Sequence, residues 1–172
     1  MAGYVIHLAV AEEYLRKHRD IKENYKEFIE GVIYPDSVSD KSLTHYGSKS
    51  SKVILKDFLK EKKLEDSYKR GYFLHLVTDY LFYNKYLDIF TKDIYNDYDI
   101  LNKFLIEKYN VKIPIKVQDK VFDKEGKTKI LTKELAEKVI DEISALDLKQ
   151  IEKEIKENPN DEKWLKFNEK IK

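Results

Sequence analysis

The sequence predicts an all-α protein, a multi-helix bundle, and three observations carry that prediction. Five glycines and three prolines in 172 residues leave long uninterrupted segments. Most of those segments space their apolar residues at the helical period. One stretch, 71–87, is apolar on nearly every face, as a buried central helix must be.

Taken in order, the first helix is expected from about Tyr4 to Arg19, with Leu8, Ala11 and Leu15 as its stripe and Glu12, Lys17 and Arg19 off it. A second, Ile21 to Glu30, presents Tyr25, Phe28 and Ile29. Residues 31–51 break the period. They hold Gly31, Gly47, Pro35 and seven Ser or Thr residues, which is loop chemistry. A loop of about 20 residues inside a domain is uncommon and usually has a function. Helix returns at about Lys52 to Lys60, and the central helix follows at about Asp66 to Phe90. Asp93 to Glu107 carries Ile100, Leu101, Phe104 and Leu105.

Val111, Ile113, Ile115 and Val117 then alternate, and Asp123 to Gly126 reads as a turn, so a small β-hairpin is expected near 111–131. Thr132 opens a helix with Leu135, Val139, Ile140 and Ile143 on one side. Leu146 to Glu157 and Asp161 to Ile171 are amphipathic and rich in Lys and Glu. The expected organisation is one domain: a helical core at 1–107, with the hairpin and C-terminal helices of 108–172 packed on it.

Composition narrows the function. Charged residues make up 38% of the chain, against roughly 25% in average proteins. The signs balance: 33 Lys and Arg against 32 Asp and Glu, a formal charge of +1. Neither half is a basic arm or an acidic tail, so nothing global points to nucleic acid or an anionic membrane. Zero cysteines exclude disulfides, thiolate zinc fingers and a cysteine nucleophile. Any transition metal must be held by His, Asp and Glu. The start, MAGYVIHLAVAEEYL, lacks a basic n-region, and the apolar stretch 71–83 is interrupted by His75 and Asp79. It is shorter than the roughly 20 residues a transmembrane helix needs. The expected location is the cytoplasm.

Candidate chemistry sits on three of the four histidines. His75 and Asp79 are four residues apart, one turn above each other on the central helix. An ionised carboxylate there must be paired, hydrogen-bonded or bound to a metal. An Asp–His pair locking the core is the simpler reading, and a metal site the other. His7, among Val5, Ile6 and Leu8, adds a second histidine in apolar surroundings. His18 lies 11 residues along the same helix, roughly 16 Å away, too far to share an ion with His7. The long loop supplies Asp36 after Pro35 and His45 after Thr44. His45, His75 and Asp79 would leave an open coordination position, as a catalytic zinc site does. His7 and Asp36 around a bridging Asp79 would make a two-metal site.

The ordered set His7, Pro35-Asp36, Thr44-His45 and His75-x-x-x-Asp79 on an aromatic-rich helix resembles the zinc-dependent phospholipase C and single-strand nuclease superfamily. The resemblance covers roughly residues 4–90. It implies an all-α fold and a zinc cluster that hydrolyses phosphodiesters. By position, His45, His75 and Asp79 look like ligands of one zinc, with Asp79 bridging to a second that His7 also binds. Asp36 looks like the family's active-site aspartate, a general base or additional ligand.

The chain departs from the pattern in lacking a tryptophan before His7 and any histidine after Asp79. One or two zinc ions, or another divalent metal, are therefore expected rather than three. Lys85, six residues past Asp79, could bind a phosphate oxygen, and Tyr34, Tyr46 or Tyr72 could line the pocket. The expected function is a metal-dependent phosphoric ester hydrolase acting on a small phosphodiester or a phospholipid-like substrate. The alternative is a non-catalytic metal-binding helical module. A hydrolase of the His-Asp-doublet type is disfavoured, because no His is followed directly by Asp.

Overall fold

A computed structural model describes residues 2–171. Helices account for the regular structure, and there is no strand among the described residues. None of these helices is long and apolar enough to cross a membrane.

Two buried helices form the centre. Helix α1, Tyr4–Lys17, hides nearly all of its first three turns. Helix α2, Tyr25–Ile33, begins where Asn24 accepts the Glu27 amide at 3.1 Å, so the expected start at Ile21 moves four residues on. The chain before it is committed elsewhere: Glu23 receives the Arg70 guanidinium, with Nε 2.7 Å from Oε2. Helix α3, Leu55–Glu61, is short.

Helix α4, Ser67–Leu81, is capped by Asp66 and is the second buried helix. It continues as a wide π turn over Phe82–Tyr86. Helix α5, Asp93–Tyr109, ends at Asn110 in the left-handed conformation, φ 50°. Helices α6, Lys133–Ser144, and α7, Leu148–Glu157, complete the bundle. A single cluster of buried hydrophobic side chains runs from Ala2 to Ile171.

The tightest crossing is that of α2 on α4, and glycine permits it. A Cβ at Gly31 would lie 2.0 Å from the Tyr68 carbonyl oxygen, and one at Gly71 would lie 2.1 Å from that of Phe28. Each helix thus presses its backbone into the gap left by the other's missing side chain. Either Gly→Ala change would force the helices apart.

Two expectations give way. The segment 111–131 forms no hairpin: it has a 3-10 turn at Ile115–Lys120 and is otherwise irregular. Pro114 interrupts the alternating run and has no amide to give a ladder. The segment's polar groups turn to α5 instead: the Lys124 amide donates to the Asp99 carbonyl at 3.2 Å, and Asn102 donates to the Phe122 carbonyl at 2.9 Å. Residues 161–171 are likewise not a helix beyond a 3-10 turn at Glu162–Trp164. They dock on the end of α4 through side-chain bonds, with the Asn168 amide on Asn84 Oδ1 at 2.8 Å and the Lys166 amide on the Tyr80 hydroxyl at 3.0 Å.

Candidate metal centre

The α2–α4 crossing sets the stage for the site. It brings the Val32 carbonyl to within 2.6 Å of His75 Nδ1. Helix α2 then runs into a 3-10 turn at Tyr34–Asp36, with Pro35 in its first turn, where a fixed φ costs nothing. This turn swings Asp36 over α4. The rest of the predicted loop is a string of short turns, Lys41–Leu43 and Ser50–Lys52. The first of them, begun by Asp40 accepting the Ser42 amide at 3.0 Å, delivers His45. Helix α1 supplies His7 from the opposite side.

The donors converge closely. Asp36, His45, His75 and Asp79 offer ligand atoms that all lie within 4.8 Å of one another. His45 Nε2 and His75 Nε2 are 3.3 Å apart, and each is 3.1 Å from Asp79 Oδ2. Asp36 Oδ1 is 3.4 Å from His45 Nε2, and Asp36 Oδ2 is 3.7 Å from His75 Nε2. His7 stands beside this set. Its Nε2 is 3.0 Å from Asp79 Oδ1 and 4.0 Å from Asp36 Oδ2, and its ring stacks on His75 at 3.7 Å.

The outer nitrogens fix what the inner ones present. His75 Nδ1–H donates to the Val32 carbonyl, and His45 Nδ1–H donates to the Lys41 carbonyl at 3.1 Å. Both rings therefore aim Nε2 inward. Carbonyl acceptors behind metal-binding histidines orient them in this way and raise their basicity. The Asp36 carbonyl is held in turn by the Tyr4 hydroxyl and the Lys41 ammonium, each at 2.9 Å.

The inward side is unsatisfied. Among the described residues, the buried side-chain polar atoms without a hydrogen-bond partner are His7 Nδ1, both Asp36 oxygens and Asp79 Oδ2. The three carboxylate oxygens face the four-donor set, and His7 Nδ1 is the outer nitrogen of the ring whose Nε2 meets Asp79. Such atoms are rare in native interiors and call for a missing partner. Two carboxylates sealed from water also need positive charge close by. A divalent cation with two neutral imidazoles and two carboxylates supplies both. These four residues can hold a metal ion.

Protons are the competing source of charge. Burial works against ionised Asp79, but His7, His75 and His45 more than reverse it and hold its carboxyl well below the usual range. Asp36 behaves alike: burial opposes the charge, and His75 and His45 bring it down to about 2. Burial also opposes a charged His45, yet its contacts with Asp36 and Asp79 raise its pKa to about 9. His7 goes the other way, lowered first by burial and then by the neighbouring His75.

All five expected ligands, His7, Asp36, His45, His75 and Asp79, thus meet in one cluster. The set of four describes one cation site, and His7 acts on it through Asp79. Two further expected residues are not brought to it. Lys85 is 60% exposed on the π turn, 4.0 Å from Glu142 of α6, so its charge faces solvent. Tyr72 is buried and spends its hydroxyl on the Thr44 carbonyl at 2.6 Å, tying the loop to α4. His18 caps α1 and stacks on Tyr14, outside the cluster.

The supporting groups Val32, Lys41 and Tyr4 were not legible in the sequence. Two of them act through backbone carbonyls, which residue type does not mark. No protein family, no curated protein and no solved structure matches this chain.

Proposed function

We propose that this chain binds zinc in the Asp36, His45, His75, Asp79 cluster and uses it to hydrolyse a small phosphoric ester. One observation carries the proposal. A tetrahedral zinc with bonds of about 2.0–2.1 Å sets its ligand atoms about 3.3 Å apart. His45 Nε2, His75 Nε2 and Asp79 Oδ2 lie 3.1–3.3 Å from one another, and Asp36 brings Oδ1 to 3.4 Å from the first and Oδ2 to 3.7 Å from the second. Imidazole and carboxylate donors with no sulfur in a four-fold site suit zinc better than magnesium or calcium, which want more oxygens.

Bound zinc would polarise a phosphoryl oxygen and lower the pKa of a coordinated water towards 7. Entry of water requires one donor to leave. His45, His75 and Asp79 are each held by a second partner, whereas the Asp36 carboxylate is held by none. Asp36 is thus the ligand free to swing out. Once displaced, it is a carboxylate beside the reacting water, where a general base belongs.

The second reading is a metal-binding module without catalysis. Its support is burial: the four donor side chains are at most 1% exposed, and four protein ligands close a tetrahedron as structural sites do. Metal content and turnover separate the two. Protein purified without chelators is expected to carry about one equivalent of zinc by mass spectrometry, lost in Asp79→Asn. Hydrolysis of a chromogenic phosphodiester that vanishes in His45→Ala, with folding retained, supports catalysis. Bound zinc without turnover under any divalent metal leaves the module. No metal and no uptake on adding zinc would sink both.

A further inference from the structure

A cavity of about 250 Å³ opens between the loop that carries His45 and the far end of α4. Lys41, Lys49, Ser50, Ser51, Tyr83 and Tyr95 line it. Among the described residues its charged groups are both cations, and no carboxylate lines it. Ser50 and Ser51 are largely buried, but their hydroxyls are accessible from the cavity and make no hydrogen bond among the described residues. The ammonium of Lys49, an exposed residue, likewise has no partner among them. Unspent donors with an excess of positive charge fit an anion.

The cavity shares two walls with the metal cluster. The Lys41 ammonium donates to the Asp36 carbonyl at 2.9 Å, and the Lys41 carbonyl accepts His45 Nδ1–H. Tyr83 follows Asp79 by four residues, one turn further along the same face. Phe90 and Tyr95, also in the lining, are in edge contact at 5.9 Å and give the cavity aromatic surface. Drug-sized ligands occupy roughly 300–1,000 Å³, so this space suits something smaller.

We infer that this cavity binds the phosphate group of a small aryl or alkyl phosphoric ester. Lys49 and the Ser50 hydroxyl donate to the phosphate oxygens, and Phe90 and Tyr95 pack on the organic group. The inference rests on the hydrolase reading for its substrate, but its test does not depend on turnover.

Binding of phenyl phosphate to the zinc-loaded protein is measured by calorimetry for wild type, Lys49→Ala, Ser50→Ala and a control, Lys26→Ala on α2. The expected result is about tenfold weaker binding for Lys49→Ala, the size of one lost charge-assisted hydrogen bond, and no change for the control. Equal affinity in Lys49→Ala and wild type would overturn the inference, even if the enzyme turns over a diester, because the ligand would then sit on zinc alone. Absence of binding to wild type would overturn it too. Lys49-dependent binding without any turnover would keep the anion site and remove the hydrolase reading.

Discussion

Two buried aspartates, one in each half of the molecule, have opposite surroundings. Asp97 on α5 is fully buried, and its carboxylate accepts three backbone amides: Lys129 at 2.9 Å on Oδ1, Ile130 at 2.7 Å and Leu131 at 2.8 Å on Oδ2. Asp79 on α4 is equally buried, but it faces three imidazoles and keeps one oxygen without an aligned donor. Burial is the same in both. The partners differ, and they separate the roles. Amides occupy both oxygens of Asp97, so it closes a structural joint between α5 and the segment before α6. His7 bonds Asp79 Oδ1, but His45 and His75, whose Nδ1 protons point outward, turn lone pairs on Oδ2, and only a cation or an added proton reconciles them.

The sharpest way to break this contrast is Asp97→Ala. It leaves three amides without their acceptor, that of Leu131 buried and those of Lys129 and Ile130 partly so, and each buried unsatisfied group costs about 1–3 kcal/mol. A loss of about 4 kcal/mol in urea unfolding is expected, with zinc stoichiometry unchanged in the protein that folds. Should Asp97→Ala not fold, Asp97→Asn retains one acceptor oxygen and is expected to lose about half as much. A loss below about 1 kcal/mol would mean that the amides find other acceptors, and the two aspartates would no longer differ in kind.

The same contrast explains what the sequence could and could not reveal. His75 and Asp79 were legible because helical spacing alone places them on one face, inside a stretch too apolar to be at the surface. Asp36 and His45 were legible because their loop was too long to be a plain connection. Asp97 was not legible. Its partners lie 32–34 residues away in a segment whose alternation suggested strands, and a residue's identity does not reveal where a distant amide will point. Pro114 was the available warning against the hairpin. The reciprocal packing of Gly31 and Gly71 was also missed, because Gly31 read as the start of the loop, whereas α2 runs on to Ile33 and makes it a helix glycine. Lys85 was misplaced for a different reason: six residues along a helix carry a side chain about 240° around the axis, off the face that holds Asp79.

A smaller effect sharpens the comparison through pH. In the metal-free protein, His45 is raised to about 9 by the two carboxylates, against an ordinary 6.5. Below pH 6.5 both folded and unfolded chains hold that proton, and the stabilisation is complete. Between 6.5 and 9 only the folded chain holds it, so stability falls as pH rises, by on the order of 1–3 kcal/mol. His7, lowered by burial, is neutral in both states across this window and does not offset the loss. Asp36 contributes at the other end, where its stabilisation disappears only as pH falls from 3.8 towards 2. Zinc bound as proposed would compete with the His45 proton, so its uptake at pH 7 is expected to release about one proton, read by calorimetry in buffers of different ionisation enthalpy. A flat stability profile from pH 6.5 to 9 in chelator-treated protein would mean that Asp36 and Asp79 do not hold a proton on His45.

His7 tests how far the centre extends, and its effect is the smallest. It does not belong to the four-donor set, and it reaches the site through Asp79 Oδ1 at 3.0 Å and by stacking on His75. If it orients Asp79 rather than binding the ion, His7→Asn should weaken zinc binding by about tenfold, as the loss of an outer-shell hydrogen bond does, and leave one equivalent bound at saturation. If it is instead a ligand of a second ion, the wild type would take up two equivalents and the variant one. Titration of both proteins with a competing chelator distinguishes these outcomes. Asp97 has no counterpart to His7, since its partners are amides fixed in the backbone. The side-chain partner of Asp79 can be changed without disturbing the chain's path, and that is why this half of the molecule, rather than the other, can be tuned as a metal centre.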